Sequence, residues 1–203
     1  MAATPAMDTA DEAVPDRLVA YLIDFTLLSA LAFVVWLVGF AVSIALLGAS
    51  GSMDPNSGAS AAASIGTMLV RAVVWLVIGG AVFGYFTLLD AGGQTFGKRF
   101  SDVVVATTDG GSPAKTATAI RTAVLLLPMP VMAGAYVLLG GLGFVLTVPL
   151  MIAWLAIEAA VLYVSDDHQR LGDRFAGTVV VETGSTAGTD AAAGAGDAAV
   201  ADA

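Results

Sequence analysis

The sequence predicts an all-α fold, a polytopic membrane helix bundle with four transmembrane helices, and three observations carry that expectation. Charged residues make up only 12% of the chain and hydrophobic residues 58%, against about 25% charged in an ordinary soluble domain. The charges present are clustered, leaving long stretches with almost none. Those stretches also have the right length. About 20 apolar residues rising 1.5 Å each cross the hydrocarbon core as a helix, the conformation that satisfies every backbone amide within its own segment.

The net charge of −9 belongs mostly to the two ends. Asp8, Asp11, Glu12 and Asp16 lie in residues 1–16 without a basic residue, and Glu182, Asp190, Asp197 and Asp202 lie in 182–203, again without one. Both ends are expected to be disordered tails, having little to bury. The intervening domain, 17–181, keeps nine acidic against eight basic groups, a net of −1. Such a core lacks the basic stripe that displaces counterions from phosphate, so no nucleic-acid partner is expected. Fourteen Asp against two Lys, with acidic tails, suggest a cell with a salty cytoplasm.

The absence of Cys removes disulfides, thiolate nucleophiles and Cys-based metal sites. The single His168 removes a multi-His centre, and no calcium-loop spacing appears. No cofactor or metal is expected, and with no visible nucleophile–base pair the chain is expected not to be an enzyme. The acidic N-terminus lacks the basic region of a secretory signal, so the first apolar segment is expected to be retained.

In chain order, 29 uncharged residues separate Asp24 from Asp54, giving a first span at about 18–48 in which Asp24 is the one charge. Residues 49–63, small, polar and interrupted by Pro55, are expected to form a loop. A second span covers about 67–89, with Arg71 near its start and Asp90 at its end. The following segment, Gly92 to Lys98, fits the first seven positions of a phosphate-binding loop. The eighth must be Ser or Thr to hold magnesium but is Arg99, and a span rather than a strand precedes it. ATP binding is rejected. The expectation is a glycine-rich turn, with Gly93 and Gly97, in which Lys98 and Arg99 contact lipid phosphates or fix topology.

The β-branched runs 103–108 and 178–183 are expected to pair as a small sheet on one membrane face. Between them, Thr122 to Ser165 comprises 44 residues with one charge, Glu158. As a single helix it would reach about 66 Å, twice a bilayer. It should therefore fold back at Gly140, Gly141 and Gly143 into spans at about 119–139 and 143–164. A three-span alternative would lay part of it in the interface. Pro128 and Pro130 should kink the first of these spans, and Pro149 the second.

Arg17, Lys98, Arg99, Lys115, Arg121, Arg170 and Arg174 all fall on one side of a four-span arrangement. By the positive-inside rule that side, with both termini, is cytoplasmic, and a multi-pass plasma-membrane location is expected. Arg71 is the exception and could snorkel to the outer interface. Asp24 and Glu158 lie at comparable depth, and their carboxylates could form a cation or proton site if their helices adjoin. Alternatively, Asp24 is held by Arg121 or Arg174 and fixes how the spans dock. Arg17 lies two turns before Asp24 on the same face, and Asp173 and Arg174 sit in a charged segment after the last span. His168 is expected to be an exposed interfacial residue rather than a ligand.

Three blocks carry a family resemblance. Asp16-Arg17-Leu18-Val19-Ala20-Tyr21-Leu22-Ile23-Asp24 resembles the opening of the RDD family. Gly93-Gln94-Thr95-Phe96-Gly97-Lys98-Arg99, followed by Val103-Val104-Val105, resembles its central loop. Arg170-Leu171-Gly172-Asp173-Arg174-Phe175-Ala176-Gly177-Thr178-Val179-Val180 resembles its closing segment. The blocks span 15–181 in the family's order. The resemblance places the arginine and two aspartates of the family's name at Arg17, Asp24 and Asp173. It implies an integral membrane protein for which transport is suggested and no reaction is given.

Two functions follow. In the first, Asp24, with Glu158, handles a small cation or proton while Arg17 and Asp173 set the charge and position of the site. Four spans are few for a transporter, so a homo-oligomer in the lipid bilayer is then expected. In the alternative, the chain is a non-transporting scaffold or accessory subunit, and Arg17, Asp24, Asp173, Glu158 and Arg174 form a structural network.

Overall fold

A computed structural model of the chain describes residues 14–51, 58–165, 168–185 and 190–191. Helix α1 (Val14–Ala49) starts four residues before the expected first span. Pro15 falls in its first turn, where no amide partner is lost, and Asp16 complements the positive end of the helix dipole. Helix α2 (Gly58–Ala91) corrects the expected loop 49–63, because residues 58–63 are already helical. The sequence there, GASAAA, is dominated by alanine, the strongest helix former, and carries no proline. The remainder of that loop, 52–57, lies outside the described residues.

The expected third span is bent at Pro128, sharply enough to divide into two helices. Helices α4 (Lys115–Leu125) and α5 (Met129–Leu139) meet at a bend of 52°. The amides of Leu126 and Leu127 turn back onto the carbonyls of Thr122 and Val124, and Pro128 supplies no amide to continue the ladder. The reversal after α5 takes one residue, Gly140 at φ +62°, rather than the expected stretch to Gly143. Glycine reaches that conformation without a Cβ clash. Helix α6 (Gly141–Val164) follows at once and runs unbroken through Pro149. By length and composition α1, α2 and α6 can each cross a bilayer, and α4 with α5 supplies a fourth crossing if the bent pair is one span.

The short elements are α3 (Phe96–Phe100), β1 (Val103–Thr107), α7 (Leu171–Ala176) and β2 (Thr178–Glu182). The expected sheet is present: β1 and β2 pair antiparallel, with Val103 opposite Glu182 and Thr107 opposite Thr178. A two-stranded unit is marginal by itself. Here both faces are covered. Val103, Val105 and Val180 pack with Ala20 of α1, and Val104, Ala106, Val179 and Val181 pack with Ala191. Strands buried on both faces read as continuous apolar runs rather than alternating ones.

Two expected tail boundaries move. Residues 14–16 belong to α1, and Glu182 belongs to β2. Residues 190 and 191, expected in a disordered tail, are helical, with Ala191 buried. The rest of both tails lies outside the described residues.

The chain divides into two compact units. One comprises Leu28–Ala81 and Pro128–Ala153. In it Trp36 donates its ring N–H to the Tyr136 hydroxyl at 3.1 Å, Trp75 meets Tyr136 edge-on, and the Arg71 guanidinium lies 5.8 Å over the same ring. The other comprises the residues up to Leu27, Val82–Leu127 and those from Trp154 onward, and it holds the sheet and all the buried charged residues among those described.

Candidate functional site

The site is built on one face of α1, where Arg17, Ala20 and Asp24 recur at helical spacing and are all buried. A carboxylate at this depth needs donors, and Asp24 has three. The Tyr85 hydroxyl donates to Oδ1 at 2.6 Å, the Gly97 amide to Oδ1 at 2.7 Å, and the Thr95 hydroxyl to Oδ2 at 2.6 Å. Thr95 is also the N-cap of α3, its oxygen accepting from the Lys98 amide at 3.4 Å. The likeness of residues 92–98 to a phosphate loop thus has a physical basis. Amides and a hydroxyl at a helix start do cradle an oxyanion, and the oxyanion is the protein's own Asp24. Neither Arg121 nor Arg174, the partners expected from sequence, hydrogen-bonds to it.

Two glycines make this cradle fit. A Cβ on Gly97 would lie 2.0 Å from the carbonyl oxygen of Ala20 and 2.9 Å from the Asp24 carboxyl carbon. A Cβ on Gly172 of α7 would lie 2.7 Å from the carbonyl oxygen of Arg121. Backbone therefore packs on backbone at both ends of the site. Helix α4 is also tied to α2, with the Thr118 hydroxyl donating to the Thr87 carbonyl at 2.9 Å.

Asp173 is the hub of the cluster. Arg17 donates to Oδ2 at 2.7 Å, Arg121 forms an ion pair with Oδ1 at 3.1 Å, and the Arg170 side chain lies 3.6 Å from Oδ2. The Arg170 amide donates to the same carboxylate at 3.3 Å, which caps α7. Burial alone would push the Asp173 carboxyl up. The guanidiniums of Arg121, Arg170 and Arg17, helped by that amide, outweigh burial and hold it well below the usual carboxylate range. Arg17 also donates to the His168 carbonyl at 2.6 Å. His168, half-buried at φ +46°, contributes this backbone oxygen to the site.

Lys98 corrects its expectation. Its side chain is 1% exposed and donates to Asp90, so it does not reach lipid phosphate. Asp90 lies 3.8 Å from Arg121, which links it to the hub. Arg99, next in sequence, is exposed. Arg174 is exposed and bonds the Ser165 hydroxyl at 3.3 Å, outside the cluster. Gly93 accepts from the Val105 amide at 3.4 Å, joining the glycine turn to β1.

Glu158 is the unmatched member. It is 3% exposed, and neither carboxylate oxygen has a hydrogen-bond partner. Its charged neighbours are Arg170, Asp173 and Arg121, whereas the bonds of Asp24 run to Tyr85, Thr95 and Gly97. The two carboxylates expected to share a site thus sit among different partners. The gap among Tyr21, Asp90, Arg121 and Arg170 holds ≈ 170 Å³ of free space but admits no water-sized sphere.

Sequence reasoning missed Tyr21, Tyr85 and Thr95. Tyr21 lies four residues after Arg17, and its ring carries the Arg170 guanidinium at 4.7 Å and the Lys98 ammonium at 5.9 Å. The signal for Thr95 was its position before a short helical stretch, an N-cap signature. Tyr85 gave none, being one aromatic among many in α2.

The model of the RDD family matches residues 13–177. The chain belongs to the RDD family. No curated protein and no solved structure matches it. In this RDD protein, Arg17 and Asp173 are joined directly, while Asp24 is bound by Thr95 and Gly97 at the turn into α3. The three residues assigned to the family's name therefore tie α1 to that loop and to α7.

Proposed function

We propose that this RDD protein is transport-related and that Glu158, rather than Asp24, is the group that exchanges a proton. The observation behind it is a carboxylate on a candidate span, buried to 3% exposure, with both oxygens free of hydrogen-bond partners. Intramembrane ionisable residues of this kind are where function is first sought. Asp24 is poorly suited to exchange, because binding a cation or proton would displace donors already in place. The Arg/Asp cluster then serves as a frame, and Glu158 sits beside its cationic members Arg170 and Arg121. Small cations compatible with a single carboxylate are the alternative cargo.

In the same proposal the protein is non-enzymatic, crosses the plasma membrane four times and keeps both termini in the cytoplasm. A homo-oligomer supplies the further helices a conduction path needs. The test is proton flux in vesicles containing the reconstituted protein. Glu158→Gln should abolish flux while leaving the protein folded and inserted. Flux unchanged from wild type overturns the proposal.

A second function, a non-transporting scaffold or accessory subunit, is favoured by a different observation. Four cations (Arg17, Lys98, Arg121 and Arg170) and three aspartates (Asp24, Asp90 and Asp173) are buried, with Arg17 and Arg121 paired to Asp173, Lys98 to Asp90, and Asp24 hydrogen-bonded to Thr95. Under that function neither wild type nor Glu158→Gln carries flux, and substitutions in the cluster change only folding and assembly.

A further inference from the structure

A groove of ≈ 410 Å³ opens at the end of α6, lined by Ala160, Val161, Val164, Ser165 and Arg174. Its chemistry is divided. Arg174, the basic residue of α7, is exposed, and its guanidinium donates to the Ser165 hydroxyl at 3.3 Å. No ion pair engages Arg174 among the described residues, in contrast to Arg17, Lys98, Arg121 and Arg170. Below it the wall is aliphatic, and Val164, the last residue of the candidate span, is 83% exposed. Phe175, beside Arg174 in sequence, is 71% exposed.

We propose that this groove binds an anionic phospholipid, with its phosphate on Arg174 and Ser165 and the start of an acyl chain along Val161 and Val164. A guanidinium presents a planar fork of donors that matches phosphate oxygens, and the neighbouring hydroxyl adds a further donor. The aliphatic wall continues from that polar end along the outer face of a helix apolar enough to lie in lipid, so head and tail of one molecule meet matching surfaces. A soluble peptide would match the charge but not that continuation. The site stands apart from the buried cluster and does not depend on the function of Glu158.

The test uses the full-length protein, purified in a zwitterionic detergent and titrated with fluorescent phosphatidylglycerol or phosphatidylcholine. Both lipids present a phosphate, but the choline cation of the zwitterionic one opposes Arg174, so wild type should bind the anionic lipid about tenfold more tightly. Arg174→Gln should erase that preference, Arg174→Lys should keep part of it, and Lys115→Gln, at an exposed lysine outside the groove, should keep it whole. Melting curves confirm that each variant is folded. Equal binding of the two lipids by wild type, or an undiminished preference in Arg174→Gln, overturns the site. So does full displacement of the lipid by inorganic phosphate, which would mark a phosphate site without an acyl-chain contact.

Discussion

At the scale of single residues, the two aspartates of α1 and α7 are held by different means. Asp24 accepts from two hydroxyls and one amide. In Asp24→Asn one carboxylate oxygen becomes an NH₂ that meets a donor, so the variant should lose about 1–3 kcal/mol of stability, read as a lowered Tm in detergent. Asp173 is held by three guanidiniums. Asp173→Asn leaves buried cations uncompensated and should lose about 3–5 kcal/mol. The sign of the pH effect follows from the lowered Asp173 carboxyl. Its contribution is complete above the unfolded value of about 3.9 and is lost as pH falls toward the lower folded value. Asp173 should therefore leave Tm unchanged between neutral pH and about pH 5 and contribute a fall below about pH 4. A variant folded through Asp173→Asn should show a shallower acid fall.

Among elements, α3 owes its placement to a single missing atom. Gly97→Ala sets a methyl 2.0 Å from the Ala20 carbonyl, which forces α3 off α1 and strips Asp24 of two donors. A severe loss of folded protein is expected. Gly84→Ala is the contrast, since nothing lies within 4 Å of its added carbon inside α2. It should be neutral or stabilising by about 0.5–1 kcal/mol, and the pair of melting curves checks both.

Much of this layer was legible in the sequence. Missing charges marked the spans, β-branched runs marked the sheet, and Pro128 marked the break. The early start of α2 was not, because Ala-rich small residues resemble a loop until helix propensity is weighed. The fate of Lys98 was not legible either. A basic residue next to a span signals the interface, and only the folded turn brings it back onto Asp90. The same limit applied to Asp24, whose partners lie 61 to 73 residues away.

At the scale of the whole molecule, the buried charge among the described residues is confined to one of the two units, and there it balances. The frame of Arg17, Lys98, Arg121 and Arg170 faces Asp24, Asp90 and Asp173, and Glu158 is the fourth carboxylate that brings the set to neutrality when ionised. Under the proposed function, loss of a proton from Glu158 completes a charge balance that the other residues leave one unit positive. The most direct test is the infrared difference spectrum of the full protein between about pH 6, where ordinary exposed carboxylates are already ionised, and alkaline pH. A carboxylic C=O band that vanishes as pH rises should be present in wild type, retained in Arg174→Gln and absent in Glu158→Gln. Persistence of that band in Glu158→Gln, or its absence from wild type, would contradict the assignment of proton exchange to Glu158.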